Sequence, residues 1–269
     1  MRWPSVLAYA ALAAALSLPG RAAEAAKDPC DSPERVRGRD ECLVARTFGK
    51  AGPAGVYNLF VLLHGNHSDG SPATSMFAPA AAITAGDPGG TVAVALLRPG
   101  YPDGEGAVST GDIGQRADNF HTGNVDEVAA AIETLKRRHQ PRRVILVGHS
   151  GGAAIAGVIL GRHPGLARAA LLLGCPCDVP AWRMARGRYD AWRSLSPHDA
   201  VDRIPAGTRV HLLVGSRDDV TPPALSDAYV KSLMARDLPA AFAVVDGATH
   251  TSVIRDPVLV KAARNLMRD

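Results

Sequence analysis

A serine, an aspartate and a histidine in that order along a chain can make an activated oxygen nucleophile. Ser150 lies in Gly148-His149-Ser150-Gly151-Gly152, directly after an apolar run at 143–147 and before a stretch of small residues. A serine hydroxyl attacks poorly until a base takes its proton. Glycine two residues before and two after lets the serine occupy a sharp strand-to-helix turn. The helix that follows aims its first N–H groups at a developing oxyanion. A glycine-rich turn with an incidental serine is the bland reading, and it leaves the strand and helix on either side unexplained.

Of the nine histidines, only His250 follows a suitable acid in the required order. It comes after the strand-like run 241–245 and the turn Asp246-Gly247-Ala248-Thr249. His149 belongs to the serine motif itself, His211 falls inside a strand, and His139 and His163 end helices; packing or solvation accounts for these. An acid is expected just past the run 210–214, where Asp218 and Asp219 both qualify, with Asp178 a distant third. Such a carboxylate would accept the ring N–H of His250 and stabilise the imidazolium formed during attack. Two backbone N–H groups must receive the oxyanion. Gly151 supplies one, and Asn66, after His64-Gly65, is expected to supply the other, with His67 in reserve. His64 is read as a buttress of that loop.

The elements that would place these residues alternate from residue 56 onward between short apolar runs and helical patterns, the signature of a parallel sheet covered by helices. Strands are expected over 56–63, 91–97, 143–147, 169–173, 210–214 and 241–245. Helices are expected over 124–139 with Asn124 as N-cap, 151–163, 225–236 behind Pro222-Pro223, and 257–267. The glycine-rich loop 100–115 and the segment 175–205 interrupt the rhythm. Long loops inside a compact domain are usually functional or lids, so 175–205 is read as a small cap. Its Trp182, Tyr189 and Trp192 form either a satellite core or the wall of an acyl pocket, with Arg183, Arg186, Arg188 or Arg193 at the rim.

Arg2 followed by the uncharged run of thirteen residues from Val6 to Leu18 reads as a secretory signal, too short to span a bilayer, which takes roughly 20 residues. Cleavage is placed after Ala25, with Ala22 as the alternative, leaving one domain over 26–269; a retained anchor is the rival reading. Export would let the four cysteines pair, and Cys30–Cys42 is the favoured bond. The 46% hydrophobic content suffices for a core. The formal charge of +4 does not cluster, so no nucleic-acid partner is expected. No histidine or carboxylate cluster accompanies a cysteine at zinc spacing, and no metal or organic cofactor is expected. Partners are a small-molecule or peptide substrate, with no stable membrane insertion after cleavage; oligomeric state is left open.

From about residue 55 to the end the chain resembles the α/β-hydrolase family. The matching pieces are His64-Gly65, Arg98-Pro99-Gly100-Tyr101, the serine motif, Gly215 with Asp218 and Pro222, and Gly247 to His250. Ser196-Pro197 through Val201-Asp202-Arg203-Ile204-Pro205 is similar to the prolyl-oligopeptidase-like and dienelactone-hydrolase-like branches. The resemblance implies a mostly parallel sheet flanked by helices and a Ser150–Asp218–His250 triad. It ranks Asp218 above Asp219, because the family's acid stands three residues after the glycine and four before the proline. It names no substrate, since this fold hosts many chemistries; a dehalogenase would carry aspartate at position 150. An exported serine esterase is therefore the expected function, on the ground that oligopeptidases of this fold usually carry a large extra domain. A peptidase, an acyltransferase or a catalytically silent binding module stand as alternatives.

Overall fold

The computed structural model describes residues 1, 30, 32–67, 69–87, 89–113 and 119–268. The expected leader, apart from Met1, and the end of the glycine-rich loop lie outside the described residues.

Eight strands form one sheet: β1 (Arg35–Arg37), β2 (Cys42–Gly49), β3 (Asn58–Leu63), β4 (Thr91–Leu96), β5 (Arg143–His149), β6 (Ala169–Leu173), β7 (Arg209–Gly215) and β8 (Ala240–Val245), in the order β1-β2-β4-β3-β5-β6-β7-β8. β1 and β2 run antiparallel to their neighbours, and every other pairing is parallel. The helices are α1 (Phe77–Thr84), α2 (Thr122–His139), α3 (Gly151–Arg162), α4 (Val179–Ala185), α5 (Pro223–Met234) and α6 (Pro257–Asn265).

The apolar runs of the central strands serve two cores at once, because successive side chains point to opposite faces of a sheet. In β3, Leu59, Val61 and Leu63 join Val125, Val128, Ile132 and Leu135 of α2, the helix α3, and Tyr229 and Leu233 of α5. Phe60 and Leu62 face the other side, with Ile83 of α1 and Leu259 and Ala263 of α6. Each fully buried Leu, Ile or Val adds about 1.5–3 kcal/mol relative to exposure, so both faces hold the sheet in place.

Several boundaries differ from the sequence reading. The first strand starts at Asn58 rather than Val56, and α2 begins at Thr122 with His121 as its N-cap. Asn124 is not the cap: its amide instead donates to Asn119 O (3.0 Å) and Asp112 O (3.4 Å), tying the helix start to the preceding loop. β1 and β2 form a hairpin tied by the Cys30–Cys42 disulfide, and in its turn the backbone N–H groups of Arg39, Asp40 and Glu41 bond to the Glu127 carboxylate on α2. Cys175 and Cys177 form a second disulfide. Within the expected cap, α4 buries Val179, Trp182 and Arg183, while most residues from Met184 to Arg193 are exposed. His198–Arg203 is a 3-10 helix seated against α3, where a Cβ on Gly161 would lie 2.1 Å from Ala200 O. Among the described residues no helix is long and apolar enough to cross a membrane.

Candidate active site

The strand order reverses between β3 and β5, and the crevice outside the carboxyl ends of strands at such a switch is where open α/β sheets bind ligands. β3 leads there into His64-Gly65-Asn66, and β5 leads into Ser150. The serine bridges β5 and α3 with φ +53° and ψ −120°, a combination far from the left-handed helical well. Such strain costs of order 1–3 kcal/mol and persists only where the surroundings impose it. Here Ser150 N donates to Leu173 O of β6 (2.9 Å), while Ser150 O accepts from Ala153 N (2.9 Å) and Ala154 N (3.1 Å). The flanking glycines are required by close approach. A Cβ at Gly148 would lie 2.4 Å from Gly152 O, and one at Gly152 would lie 2.3 Å from Leu63 O.

Asp218 follows β7 and His250 follows β8, and the structure brings them together: His250 Nδ1 donates to Asp218 Oδ2 at 2.8 Å. Thr221 Oγ1 donates to the same oxygen (2.9 Å) and stands 3.1 Å from His250 Nδ1, while Oδ1 accepts from Val220 N (3.0 Å) and Thr221 N (2.8 Å). Burial by itself would raise the Asp218 carboxyl, but the hydrogen bond and charge of His250 and the Thr221 donors outweigh it, so its pKa lies below the ordinary aspartate value. The other two acids sit elsewhere. Asp219 is exposed, and Asp178 caps α4 by accepting from Ala181 N at 3.0 Å. No hydrogen bond joins Ser150 Oγ to His250; catalytic contacts of this kind often tighten only around a substrate.

Three residues that the sequence reading did not assign to the site pack against this pair. His149 packs its ring 4.8 Å from that of His250 and donates from Nε2 to His250 O at 2.8 Å. Burial first, and then the neighbouring His250, push the His149 pKa down to about 3, so it remains a neutral strut. Gly174, just past β6 with φ +50°, leaves room for His250: a Cβ there would lie 3.0 Å from His250 Nδ1 and 3.1 Å from Asp218 Oδ2. Thr221 is the third, and its spacing from Asp218 within a turn was the available signal.

The loop after β3 lies alongside Ser150. A Cβ on Gly65 would be 3.1 Å from Ser150 Cβ, and one on Gly151 would be 2.4 Å from Asn66 Oδ1. His64 is buried and held neutral, its pKa well below the usual histidine value through burial and the Arg98 charge. Arg98 N donates to its Nε2 (3.0 Å), so the Nδ1 proton goes to Gly65 O (2.7 Å). His67 turns away toward Ser71 and Ser75.

The aromatic residues of the cap divide. Trp182 belongs to the core, 8% exposed, with Nε1 donating to Val220 O of the acid turn at 2.8 Å. Tyr189 is 76% exposed, and Trp192 covers Arg183, which is buried and paired with Asp190 rather than placed at a rim. Arg186 and Arg188 line a cleft of about 460 Å³ with Trp182, Asp219 and Pro222. Phe120, which the sequence reading passed over, lies closer to the serine: a Cβ on Gly151 would be 3.2 Å from its ring. A larger cleft, about 1170 Å³, runs between α1 and α6 and holds none of Ser150, Asp218 or His250.

No protein-family model matches the chain, and no curated protein sequence does. Solved structures do match in fold. Est1E from Butyrivibrio proteoclasticus aligns at TM-score 0.62 and 15% identity over 87% of this chain and 96% of its own. The esterase PE8 aligns at 0.61 and 21% identity over 84% of this chain and 98% of its own. Puromycin hydrolase aligns at 0.66 and 17% identity over 90% of this chain but 40% of its own. The eight-stranded, mostly parallel sheet flanked by helices is the α/β-hydrolase fold.

Proposed function

We propose that this α/β-hydrolase-fold protein is a serine hydrolase that cleaves a carboxylic ester through an acyl-enzyme on Ser150. The observation that carries the reading is the backbone of Ser150, at φ +53° between β5 and α3, beside an Asp218–His250 pair bonded at 2.8 Å. Ser150 Oγ attacks the substrate carbonyl carbon as its proton passes to His250 Nε2. Asp218 holds the Nδ1 proton in place and stabilises the imidazolium. The oxygen that becomes negative is received by the N–H groups of Gly151 and Asn66. His250 then gives its proton to the departing alcohol. A water activated by His250 next attacks the acyl carbon, releasing the acid and restoring Ser150.

The match with the two esterases extends over nearly their whole length, against two fifths of puromycin hydrolase, which favours an ester. An amide substrate uses the same atoms, and the likeness to puromycin hydrolase keeps it as the second reading. Residues 1–25 as an export signal, together with the two disulfides, support action in a secreted or periplasmic setting. A panel of p-nitrophenyl esters set beside aminoacyl and peptidyl p-nitroanilides tests the reading. Turnover of esters in the parent and its loss in Ser150→Ala is the expected result. Turnover confined to the anilides would make the protein an amidase, and turnover undiminished in Ser150→Ala would refute the mechanism.

A further inference from the structure

Arg98 brings a positive charge into the interior with no charge of opposite sign beside it. It stands just past β4 and is 2% exposed. Its side-chain hydrogen bonds all leave from Nη2, to Asn66 Oδ1 (2.7 Å), Gly65 O (2.9 Å) and Tyr101 Oη (3.2 Å). Nε is buried without a partner, and among the described residues no carboxylate lies within ion-pairing distance. A buried ion carries a desolvation penalty of several kcal/mol unless it is paired. Proteins usually answer with a counter-ion, and here the acceptors are a peptide oxygen, an amide oxygen and a phenol.

Two of those acceptors, Gly65 O and Asn66 Oδ1, lie on the loop beside the serine. Gly65 O accepts from both His64 Nδ1 (2.7 Å) and Arg98 Nη2 (2.9 Å). A trans peptide is planar, with its N–H opposite its C=O. Drawing the Gly65 carbonyl toward the guanidinium therefore aims the Asn66 N–H the other way. If the same peptide turned over, it would present a carbonyl oxygen in place of that N–H.

We propose that Arg98 is the positioning residue of the oxyanion hole, locking the Gly65–Asn66 peptide through the Gly65 carbonyl and Asn66 Oδ1 and placing an uncompensated positive charge behind it. The inference rests on the reading of Ser150 as nucleophile. A fixed donor backed by a buried charge gains strength as negative charge develops on the substrate oxygen, and needs no rearrangement at that moment. Arg98 touches no reacting atom; it acts through the peptide.

The test uses Arg98→Met and Arg98→Lys in the full-length protein, with functional sites counted by fluorophosphonate titration so that rates refer to competent molecules. Phenylboronic acid serves as the probe of the tetrahedral state, because its adduct with a serine oxygen is a tetrahedral anion. In Arg98→Met, kcat per titrated site should fall roughly 10²-fold, and the boronate inhibition constant should rise in step. KM should stay within about threefold, as when an interaction confined to the transition state is lost. Arg98→Lys keeps the charge on a shorter side chain without the planar fork, and should recover part of both losses. A fall in the number of titratable sites, with kcat per site and boronate affinity intact, would reduce Arg98 to a structural role and overturn the proposal. If Arg98→Met gives no titratable sites, boronate affinity equal to the parent in Arg98→Lys overturns it. A parent that fails to label at Ser150 removes the hydrolase reading and this inference together. A labelled parent with unchanged boronate affinity in Arg98→Met removes this inference alone.

Discussion

Each oxygen of Asp218 accepts twice: Oδ1 from the backbone of Val220 and Thr221, Oδ2 from Thr221 Oγ1 and His250 Nδ1. The turn thus fixes the carboxylate before it orients the histidine, while Asp219 faces solvent. Asp218→Asn should lower kcat by about 10⁴, the cost of losing the orienting carboxylate in a comparable triad. Asp219→Asn should change it by less than about threefold. Steady-state rates on one ester decide the matter, and the opposite ranking would move the role to Asp219. His149 gives a stability prediction. Its pKa is lowered in the fold to about 3 from the usual 6.5, so below pH 6.5 the unfolded chain takes up a proton that the folded chain refuses. Stability therefore falls as pH drops from about 6.5 toward 3. His149→Gln keeps an N–H donor for His250 O and removes the titration. Melting temperatures measured between pH 7 and pH 4 should decline less steeply in the variant, and equal slopes would contradict the assignment. The turn at Ser150 was legible from its flanking glycines, while Asp218 and His250, which the structure pairs, were picked out by their order along the chain and, for Asp218 over Asp219, by the family resemblance. His149 and Gly174 were not, since their partners lie far along the chain, His250 being 101 residues from His149.

At the scale of elements, the parallel strands and the large helices were legible from their apolar runs and stripes. The strands β1 and β2 were not: they carry charged residues among the apolar ones, and their strand character comes from pairing, β2 onto β4 and β1 onto β2. The helix α1 was missed because Phe77–Thr84 is apolar almost throughout and shows no amphipathic stripe. The segment 175–205 stood out by its length, but sequence could not divide its aromatic residues. Trp182 is a strut between α4 and the acid turn, and Phe120 is the apolar side chain against the elbow. Phe120→Ala should shift preference among p-nitrophenyl esters toward larger acyl groups. Trp182→Phe, which loses only the Nε1 bond to Val220 O, should lower kcat on every ester without reordering them. A reordering by Trp182→Phe and none by Phe120→Ala would exchange the two roles.

Across the whole molecule, the two disulfides anchor different regions. Cys30–Cys42 ties the chain ahead of β1 to the start of β2, and Cys175–Cys177 closes a short ring just past Gly174. Protein denatured without reductant should show no titratable thiol. Replacing Cys30 and Cys42 by serine should cost roughly 2–4 kcal/mol in urea unfolding; an unchanged midpoint would mean the staple adds nothing. The sheet, the elbow and the pair at the ends of β7 and β8 converge on one claim, that Ser150 is the nucleophile. Its most direct test is peptide mapping after reaction of the native protein with a fluorophosphonate. A single adduct on the peptide containing Ser150, absent from Ser150→Ala and greatly slowed in His250→Ala, is the predicted result. Native protein that takes up no label, or takes it up at another serine, would contradict the account.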